Sequence, residues 1–198
     1  MLQKASTFAA PVIDAAAAGL SLAAARLSAH PMAAKVAGVA SGALWVAGAA
    51  AYELGNAAPY SKVLSASNAF CGTAGALSLA APSLLGRTQS NVAYSAAAAW
   101  AANGAADMVC AAGNTYPNRP SRLLLGASGA ANVAAAALSA ASASASAEGQ
   151  SIKAANLGTV SAALWGVGAT AALGAEWVAR SDAFNPASRP DREPDNLA

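Results

Sequence analysis

Charged residues divide the chain into long stretches that contain no Asp, Glu, Lys or Arg. Five such windows lie inside the spans 35–53, 62–87, 87–107, 122–148 and 153–176. A helix needs about 20 apolar residues to cross the hydrocarbon core of a bilayer, and each window is close to that length. Because each window is bounded by charge, the pattern predicts helices that cross a membrane and keep their charged residues at its surfaces.

Turn-forming residues separate the windows. Gly, Pro and Asn recur at 30–31, 55–59, 86–90, 113–120 and 148–150, and such residues mark turns and loops. The sequence therefore predicts six helices, at about 7–28, 33–54, 62–85, 90–111, 122–147 and 152–179. Two interpretations of the first helix are open, because Asp14 and Arg26 leave only eleven uncharged residues between them. It lies in the membrane interface as an amphipathic helix, or it crosses with Asp14 facing other helices.

The end of the chain differs from the rest. Residues 181–198 are polar, with mixed charges and prolines at 186, 190 and 194. This composition is typical of a solvated, flexible segment. We therefore divide the chain into a helical membrane domain, 1–180, and a polar C-terminal tail, 181–198.

A short motif that ends in tryptophan recurs along the chain. Ser-Gly-Ala-Leu-Trp at 41–45 returns as Ser-Ala-Ala-Leu-Trp at 161–165, with a degenerate copy, Ala-Ala-Ala-Ala-Trp, at 96–100. An acid follows each tryptophan within 11 residues, and the three acids are Glu53, Asp107 and Glu176. This internal repeat predicts three tandem helical hairpins. The tryptophans Trp45, Trp100 and Trp165 are then packing anchors, and the binding of a pigment or lipid is the alternative.

Composition supports helices in a membrane. Of the 198 residues, 56% are hydrophobic and 10% are charged, whereas soluble domains carry about 25% charged residues. Alanine, the strongest helix former, dominates, and β-branched and aromatic residues are few. We predict an all-α, polytopic membrane helical bundle of about six Ala/Gly/Ser-rich helices. A soluble bundle of alanine helices is the competing interpretation, and it requires a polar stripe on every helix.

Groups that carry catalysis are scarce. The single histidine, His30, lies in a predicted turn, and Cys71 and Cys110 lie in apolar stretches, as small buried hydrophobic residues do. No Ser/His/Asp set, paired carboxylates, phosphate-binding glycine loop or metal-ligand spacing stands out. The net charge of +2 comes from scattered residues and is no nucleic-acid footprint. We expect no enzymatic activity, cofactor, metal ion or nucleic-acid partner.

Small and polar residues inside the windows are the candidate site positions. Gly38 and Gly42 form a GxxxG pair, a spacing that lets helix backbones approach closely in lipid. Asp14 is the one acid that can fall inside a span, and a place in the first turn of a helix, where acids are favoured, is its alternative. Three interpretations are open for four amides: hydrogen bonding between helices, the lining of a polar pathway, and exposure to solvent in a soluble fold. The four amides are Asn68, Asn103, Asn132 and Asn156.

Together these patterns predict a non-enzymatic, multi-pass integral membrane protein whose surroundings are the lipid bilayer. Small-residue faces and short loops favour an accessory or scaffold subunit that packs against other membrane protein subunits of a larger complex. One alternative is a small transporter or channel with the asparagines and Asp14 along its path. Another is a soluble or secreted, effector-like, Ala-rich helical protein that inserts into a host membrane.

Overall fold

The computed structural model describes residues 2–27, 29–55, 61–113 and 115–181, with side chains from residue 8 onward. The chain is all-helical, and the described residues include no β-strand. The α-helices are α1 (Leu2–Arg26), α2 (Pro31–Gly55), α3 (Lys62–Ala80), α4 (Gly86–Ala112), α5 (Arg119–Ala147) and α6 (Ser151–Arg180), with a 3₁₀ turn at Ala81–Ser83. The prediction of six helices is confirmed, and the predicted tail after Ser181 lies outside the described residues.

Local sequence explains where several helices begin and end. Ser61 caps the start of α3, where its side chain accepts a hydrogen bond from the Leu64 backbone N–H, and Asn118 caps α5 in the same way. The helix α3 ends at Ala80, earlier than predicted, and the 3₁₀ turn that follows contains Pro82, whose ring and missing N–H disfavour a further α-helical turn. Between α5 and α6, Gly149 takes a positive φ of 74°, which allows the sharp reversal after α5.

The six helices form a closed ring. Each packs against the next in sequence, and α6 packs against α1. Neighbours run antiparallel: Ser21 of α1 hydrogen-bonds to Ser41 of α2, whereas Asp14, nearer the start of α1, lies against Gly48, nearer the end of α2. At the closing seam Arg180 of α6 lies over the ring of Phe8 of α1, 4.8 Å from its centroid. We call the end where α1 begins and α6 ends the terminal end, and the opposite end the mouth end.

The same spacing of buried positions recurs in the helices, at i, i+1, i+4, i+7 and i+8. This spacing defines one helix face, and here it is the face that points into the ring. The positions are 10, 11, 14, 17 and 18; 41, 42, 45, 48 and 49; 67, 68, 71, 74 and 75; 96, 97, 100, 103 and 104; and 161, 162, 165, 168 and 169. In α5 they are 128, 129, 135 and 136, with Asn132 half-buried between them.

Polar residues line the interior of the ring, and large apolar residues cover its outside. Buried polar residues include Asp14, Ser67, Asn68, Asn103 and Asp107. Exposed apolar residues include Val12, Val36, Val46, Phe70, Leu123, Val160 and Val167. The buried polar residues lie beside alanines and the tryptophans at 45, 100 and 165. Soluble domains seldom bury acids without a partner, whereas intramembrane polar residues face the interior of a bundle.

Five helical segments are long and apolar enough to cross a membrane, among the residues that the structure describes. They are Phe8–Arg26, Pro31–Gly55, Lys62–Ser83, Arg119–Ala147 and Ser151–Arg180. The segment in α1, which the sequence left open, is therefore among them, and α4, which was predicted to span, is not. Polar residues at the start of α4 and the acid Asp107 lower its hydropathy, although Asp107 points into the ring.

Close approach of helix backbones depends on a few glycines. A Cβ atom at Gly42 would lie 2.5 Å from the backbone nitrogen of Leu79 on α3, closer than atoms can pack. Gly104 of α4 and Gly129 of α5 face each other, and a Cβ on either would lie 2.5 Å from the carbonyl oxygen of the other. Gly38 is less tightly packed, since its Cβ would make ordinary contact with Pro82 at 3.4 Å.

Candidate functional site

Three tryptophans meet at the centre of the ring. The ring centroids of Trp45 and Trp100 are 4.6 Å apart, those of Trp100 and Trp165 are 5.3 Å apart, and those of Trp45 and Trp165 are 6.1 Å apart. These distances lie in the range of favourable aromatic pairs, and the side chains are at most 9% exposed. The tryptophan cluster, as we call these three residues, fills the middle of the ring and separates two cavities.

The larger cavity, the vestibule, has a volume of about 800 Å³. It extends from Trp100 and Trp165 to the helix ends at Pro31 and Ser151, so it opens at the mouth end. Every helix contributes to its wall, for example through Ala25, Lys35, Ser78, Ser90, Ser142 and Gly158. The wall consists mainly of Ala and Ser, and Lys35 is the one charged residue among the described residues that line it.

The rim around the vestibule is positively charged. Arg26, Lys35, Arg87 and Lys153 lie in the helical turns at the mouth end, all exposed, with Glu148 as the one acid in the described helix ends and turns there. Charges of one sign around a concave opening raise the local concentration of ions of the opposite sign. The mouth end is therefore suited to attract anions.

The smaller cavity, the polar pocket, lies on the other side of the tryptophan cluster. Its volume is about 40 Å³. Trp45 and Trp100 form one of its walls. Polar residues from five helices and one loop complete it: Asp14, Tyr52, Ser67, Asn68, Asn103, Asp107, Tyr116, Ser128 and Asn132.

A directed chain of hydrogen bonds crosses the polar pocket and ends at Asp107. The Asn132 side-chain amide donates to Asn103 Oδ1 at 3.2 Å, and Asn103 Nδ2 donates to Ser67 Oγ at 2.8 Å. Ser67 Oγ in turn donates to Asp107 Oδ1 at 2.5 Å. Since every donor points towards Asp107, this carboxyl group is the final acceptor.

Asp14 has a different environment from Asp107. It lies halfway along α1, not in the first turn, and is 6% exposed. Its carboxyl group packs against Gly48 of α2, and its buried Oδ1 atom has no hydrogen-bond partner among the described residues. The interpretation of Asp14 as a first-turn residue is therefore wrong, and the polar pocket contains a buried acid with an unsatisfied oxygen.

Acidic side chains and their partners close the terminal end. Glu53 of α2 accepts hydrogen bonds from Ser65 Oγ at 2.7 Å and Asn68 Nδ2 at 2.9 Å. Glu176 of α6 accepts a short hydrogen bond from the Tyr116 hydroxyl. It also forms a salt bridge with Arg180, with 2.9 Å between the nitrogen and oxygen atoms. Burial, followed by the nearby Glu176 charge, raises the pKa of Tyr116 well above its ordinary value, so Tyr116 stays protonated.

The structure brings together most of the residues that the sequence singled out. Asp14, Asn68, Asn103 and Asn132 all line the polar pocket, and three of these four make hydrogen bonds to residues of other helices. Asn156 does not join them, because it is exposed near the start of α6.

Sequence reasoning missed other residues of the pocket. It did not single out Ser67, and it treated Cys71 only as a buried hydrophobic residue and Asp107 only as the acid that follows Trp100. The shared spacing of buried positions is the signal that could have found Ser67 and Cys71, since both occupy it in α3.

The donor set of the site is oxygen-rich. No group of three His, Cys, Asp or Glu side chains in the described part of the chain could hold a metal ion. Comparison with protein-family models, curated proteins and solved structures gives no match.

Proposed function

We propose that the protein is a multi-pass membrane carrier that takes a small polar solute into the interior of its helix ring. The observation that carries the proposal is the vestibule of about 800 Å³, which all six helices build and which ends at the tryptophan cluster. Pockets for small molecules usually have volumes of about 300–1,000 Å³.

The distribution of polar and apolar residues supports placement in a bilayer. Five segments have the length and hydropathy of membrane spans, and exposed valines and leucines cover the outside of the ring. The interior holds two aspartates and several amides, which are costly in lipid and mark transport pathways when they face a cavity. In α4, which is not among these segments, Asn103 and Asp107 face this interior, whereas polar residues of its first half, such as Asn91 and Ser95, are exposed.

The closed centre favours a carrier over an open channel. The tryptophan cluster blocks the vestibule, and beyond it the polar pocket has room for only about 40 Å³. A solute therefore passes only if the helices move to open the far side, and many carriers alternate access in this way around a central site. We place the solute site at the floor of the vestibule.

Charge at the mouth end favours a solute with negative charge. Lys35 lines the vestibule itself, and Arg26, Arg87 and Lys153 surround its opening. Lys35 can form a charge-assisted hydrogen bond to an anionic solute. The electrostatic attraction of the rim acts mainly on the rate of entry and weakens as salt concentration rises.

Fluorescence quenching and transport assays test the proposal together. In a Trp177→Phe background, which removes the exposed tryptophan, quenching by iodide and by caesium is measured relative to the quenching of free N-acetyltryptophanamide by the same ion. Iodide is expected to give the larger ratio for Trp100 and Trp165. The variant Lys35→Gln lowers iodide quenching, and Lys62→Gln, at the terminal end, leaves it unchanged. Liposomes that contain the protein are then loaded with chloride, phosphate, sulfate, acetate or succinate and assayed for exchange. Equal ratios for the two ions and no exchange of any of these anions would contradict the proposal.

A second candidate function, the accessory or scaffold subunit, is favoured by a groove on the outside of the ring. The groove lies between α1 and α6 and is lined by small residues, among them Ala15, Gly19, Ala163 and Gly166. Nothing lies within 4 Å of where a Cβ on Gly19 or Gly166 would be, so a helix of another subunit could pack closely there. Gly19→Leu with Gly166→Leu is expected to change the size of the complex in native gels of mild-detergent extracts. A wild-type protein that already migrates alone would rule this function out.

A further inference from the structure

The polar pocket contains two carboxyl groups and no basic group. Asp14 and Asp107 both line it, and the described lining residues include no Lys, Arg or His. Arg180, the basic residue of the hydrogen-bonded group at the terminal end, forms a salt bridge with Glu176. A buried negative charge without a positive partner is strongly unfavourable. The pair of acids therefore either takes up protons or binds a positively charged ligand.

A second observation, the unsatisfied hydrogen bonding of Asp14, points to a ligand in the same pocket. Asp14 is 94% buried, and its Oδ1 atom has no hydrogen-bond donor among the described residues. The other carboxyl group, on Asp107, already accepts the hydrogen bond from Ser67. Because Asp14 lines the polar pocket, a ligand in this pocket can reach its carboxyl group, whose Oδ1 atom lies beside Gly48 of α2.

The size of the pocket limits this ligand to an ion. A cavity needs about 10–15 Å³ of this kind of volume to hold one water molecule, so about 40 Å³ accommodates an ion and one or two waters. An organic amine with several carbon atoms does not fit. Mg²⁺ keeps several waters when it binds, and these exceed the space.

The chemistry of the lining fits an alkali cation. Carboxylate, amide carbonyl and hydroxyl oxygens are the ligands that hard cations prefer, and the pocket offers them on Asp14, Asp107, Asn68 and Ser128. The Asn68 amide nitrogen is turned towards Glu53, which leaves its carbonyl oxygen for another partner.

We propose that the polar pocket is a binding site for one small monovalent cation of about the size of Na⁺, held between Asp14 and Asp107. The site goes beyond the proposed function, because it lies behind the tryptophan cluster and does not require that any solute enter the vestibule. A protein that binds the cation but transports no anion would retain this inference and lose the earlier one.

Thermal unfolding of the purified full-length protein in detergent tests the site. The melting temperature is measured at constant ionic strength while choline chloride is replaced by LiCl, NaCl or KCl, since choline is too large for the pocket. A ligand that binds only the folded state raises the melting temperature with its concentration. We expect a saturable rise of several degrees with NaCl and no comparable rise with choline.

Variants connect the rise to the two acids. Asp14→Asn and Asp107→Asn are expected to abolish the Na⁺-dependent rise, and Glu148→Gln, which removes an exposed acid at the mouth end, retains it. Binding of radioactive ²²Na⁺ at equilibrium gives a second measurement, with one ion per chain for the wild type and none for Asp14→Asn. If one variant fails to fold, the binding measurement still tests the site, because the other variant and the stoichiometry of the wild type remain.

Several results would overturn the inference. They are an equal response to choline and Na⁺, a rise that persists in Asp14→Asn, and a response to CaCl₂ or MgCl₂ alone. A melting temperature that depends on pH but on none of the metal cations overturns it as well, since the acids then take up protons instead.

Discussion

The Asp14 carboxyl group on α1 occupies the space beside Gly48 on α2 that any larger residue at position 48 would need for its side chain. The same relationship recurs between α5 and α6, where a Cβ at Gly168 of α6 would lie 2.7 Å from Asn132 Oδ1 of α5. In both pairs a glycine three residues after a central tryptophan makes room for a polar side chain. These glycines therefore allow polar groups to lie next to the tryptophan cluster.

Replacement of Gly48 by alanine tests this relationship. The new methyl group collides with the Asp14 carboxyl group, and we expect Gly48→Ala to lower stability by about 1–3 kcal/mol, as overpacking does. The loss should shrink in an Asp14→Ala background, because the colliding atoms are then absent. Melting temperatures of the four proteins in this double-mutant cycle measure the coupling. Equal losses in the two backgrounds would mean that the carboxyl group does not occupy this space in solution.

The two glycines of the GxxxG pair should differ in their tolerance of alanine. At Gly42 the methyl group meets the backbone of Leu79, so Gly42→Ala is expected to cost about 1–3 kcal/mol. At Gly38 the nearest atom is 3.4 Å away on Pro82, and alanine there gains helix propensity of up to about 1 kcal/mol. Chemical or thermal unfolding in detergent compares the two variants. Similar effects at both positions would contradict the close approach of α2 and α3 at Gly42.

The tryptophan cluster should act as a barrier between the two cavities. Trp100 lines both of them, and Cys71 lines the polar pocket behind it. In a Cys110→Ser background we expect Cys71 to resist a small maleimide reagent, and Trp100→Leu to make it reactive. Trp177→Leu, which makes the same replacement at an exposed tryptophan, is the matched control and should leave Cys71 protected. Rapid labelling of Cys71 in the presence of all three central tryptophans would contradict the barrier.

The hydrogen bond between Tyr116 and Glu176 should make stability depend on alkaline pH. Burial and the Glu176 charge raise the pKa of Tyr116, so the folded state holds this proton more tightly than the unfolded state, in which tyrosine ionises near pH 10. The contribution of the protonated hydroxyl group to the free energy of unfolding is therefore complete below about pH 10 and is lost as pH rises above it.

Comparison with a variant isolates this contribution. Tyr116→Phe is expected to reduce stability by about 1.5–3 kcal/mol at neutral pH, the range for hydrogen bonds to charged groups. The difference from the wild type should narrow above about pH 10, and Tyr94→Phe, at a more exposed tyrosine, should show neither effect. A difference that is constant from pH 7 to 11 would mean that the hydroxyl proton is not shared with Glu176.

Local patterns in the sequence were sufficient to predict the number and approximate bounds of the helices. Charge-free windows and turn residues gave six helices whose observed bounds mostly differ by a few residues from those predicted. The largest differences lie at the start of α1, which begins at Leu2, and at the end of α3, where the 3₁₀ turn that contains Pro82 follows. Propensity, charge spacing and proline act over a few residues, so they can be read directly.

The residues that form hydrogen bonds across the ring could not be predicted from local sequence patterns. Nothing local connects Asn132 with Asn103, which are 29 residues apart, or Tyr116 with Glu176, which are 60 apart. In this chain alanine, glycine and serine occupy both the inner and the outer faces, so a helix shows little contrast between its sides. Without that contrast, periodicity does not say which way Asp14 or Asn156 points.

The sequence by itself therefore determined the number of helices, their approximate bounds and the three central tryptophans. Only the tertiary structure decided that α6 closes on α1, that Asp14 packs against Gly48, and that a vestibule and a polar pocket lie on either side of the tryptophan cluster. The physical reason is that helix formation is governed by neighbours along the chain, whereas cavities arise from side chains of all six helices that meet only when the ring closes.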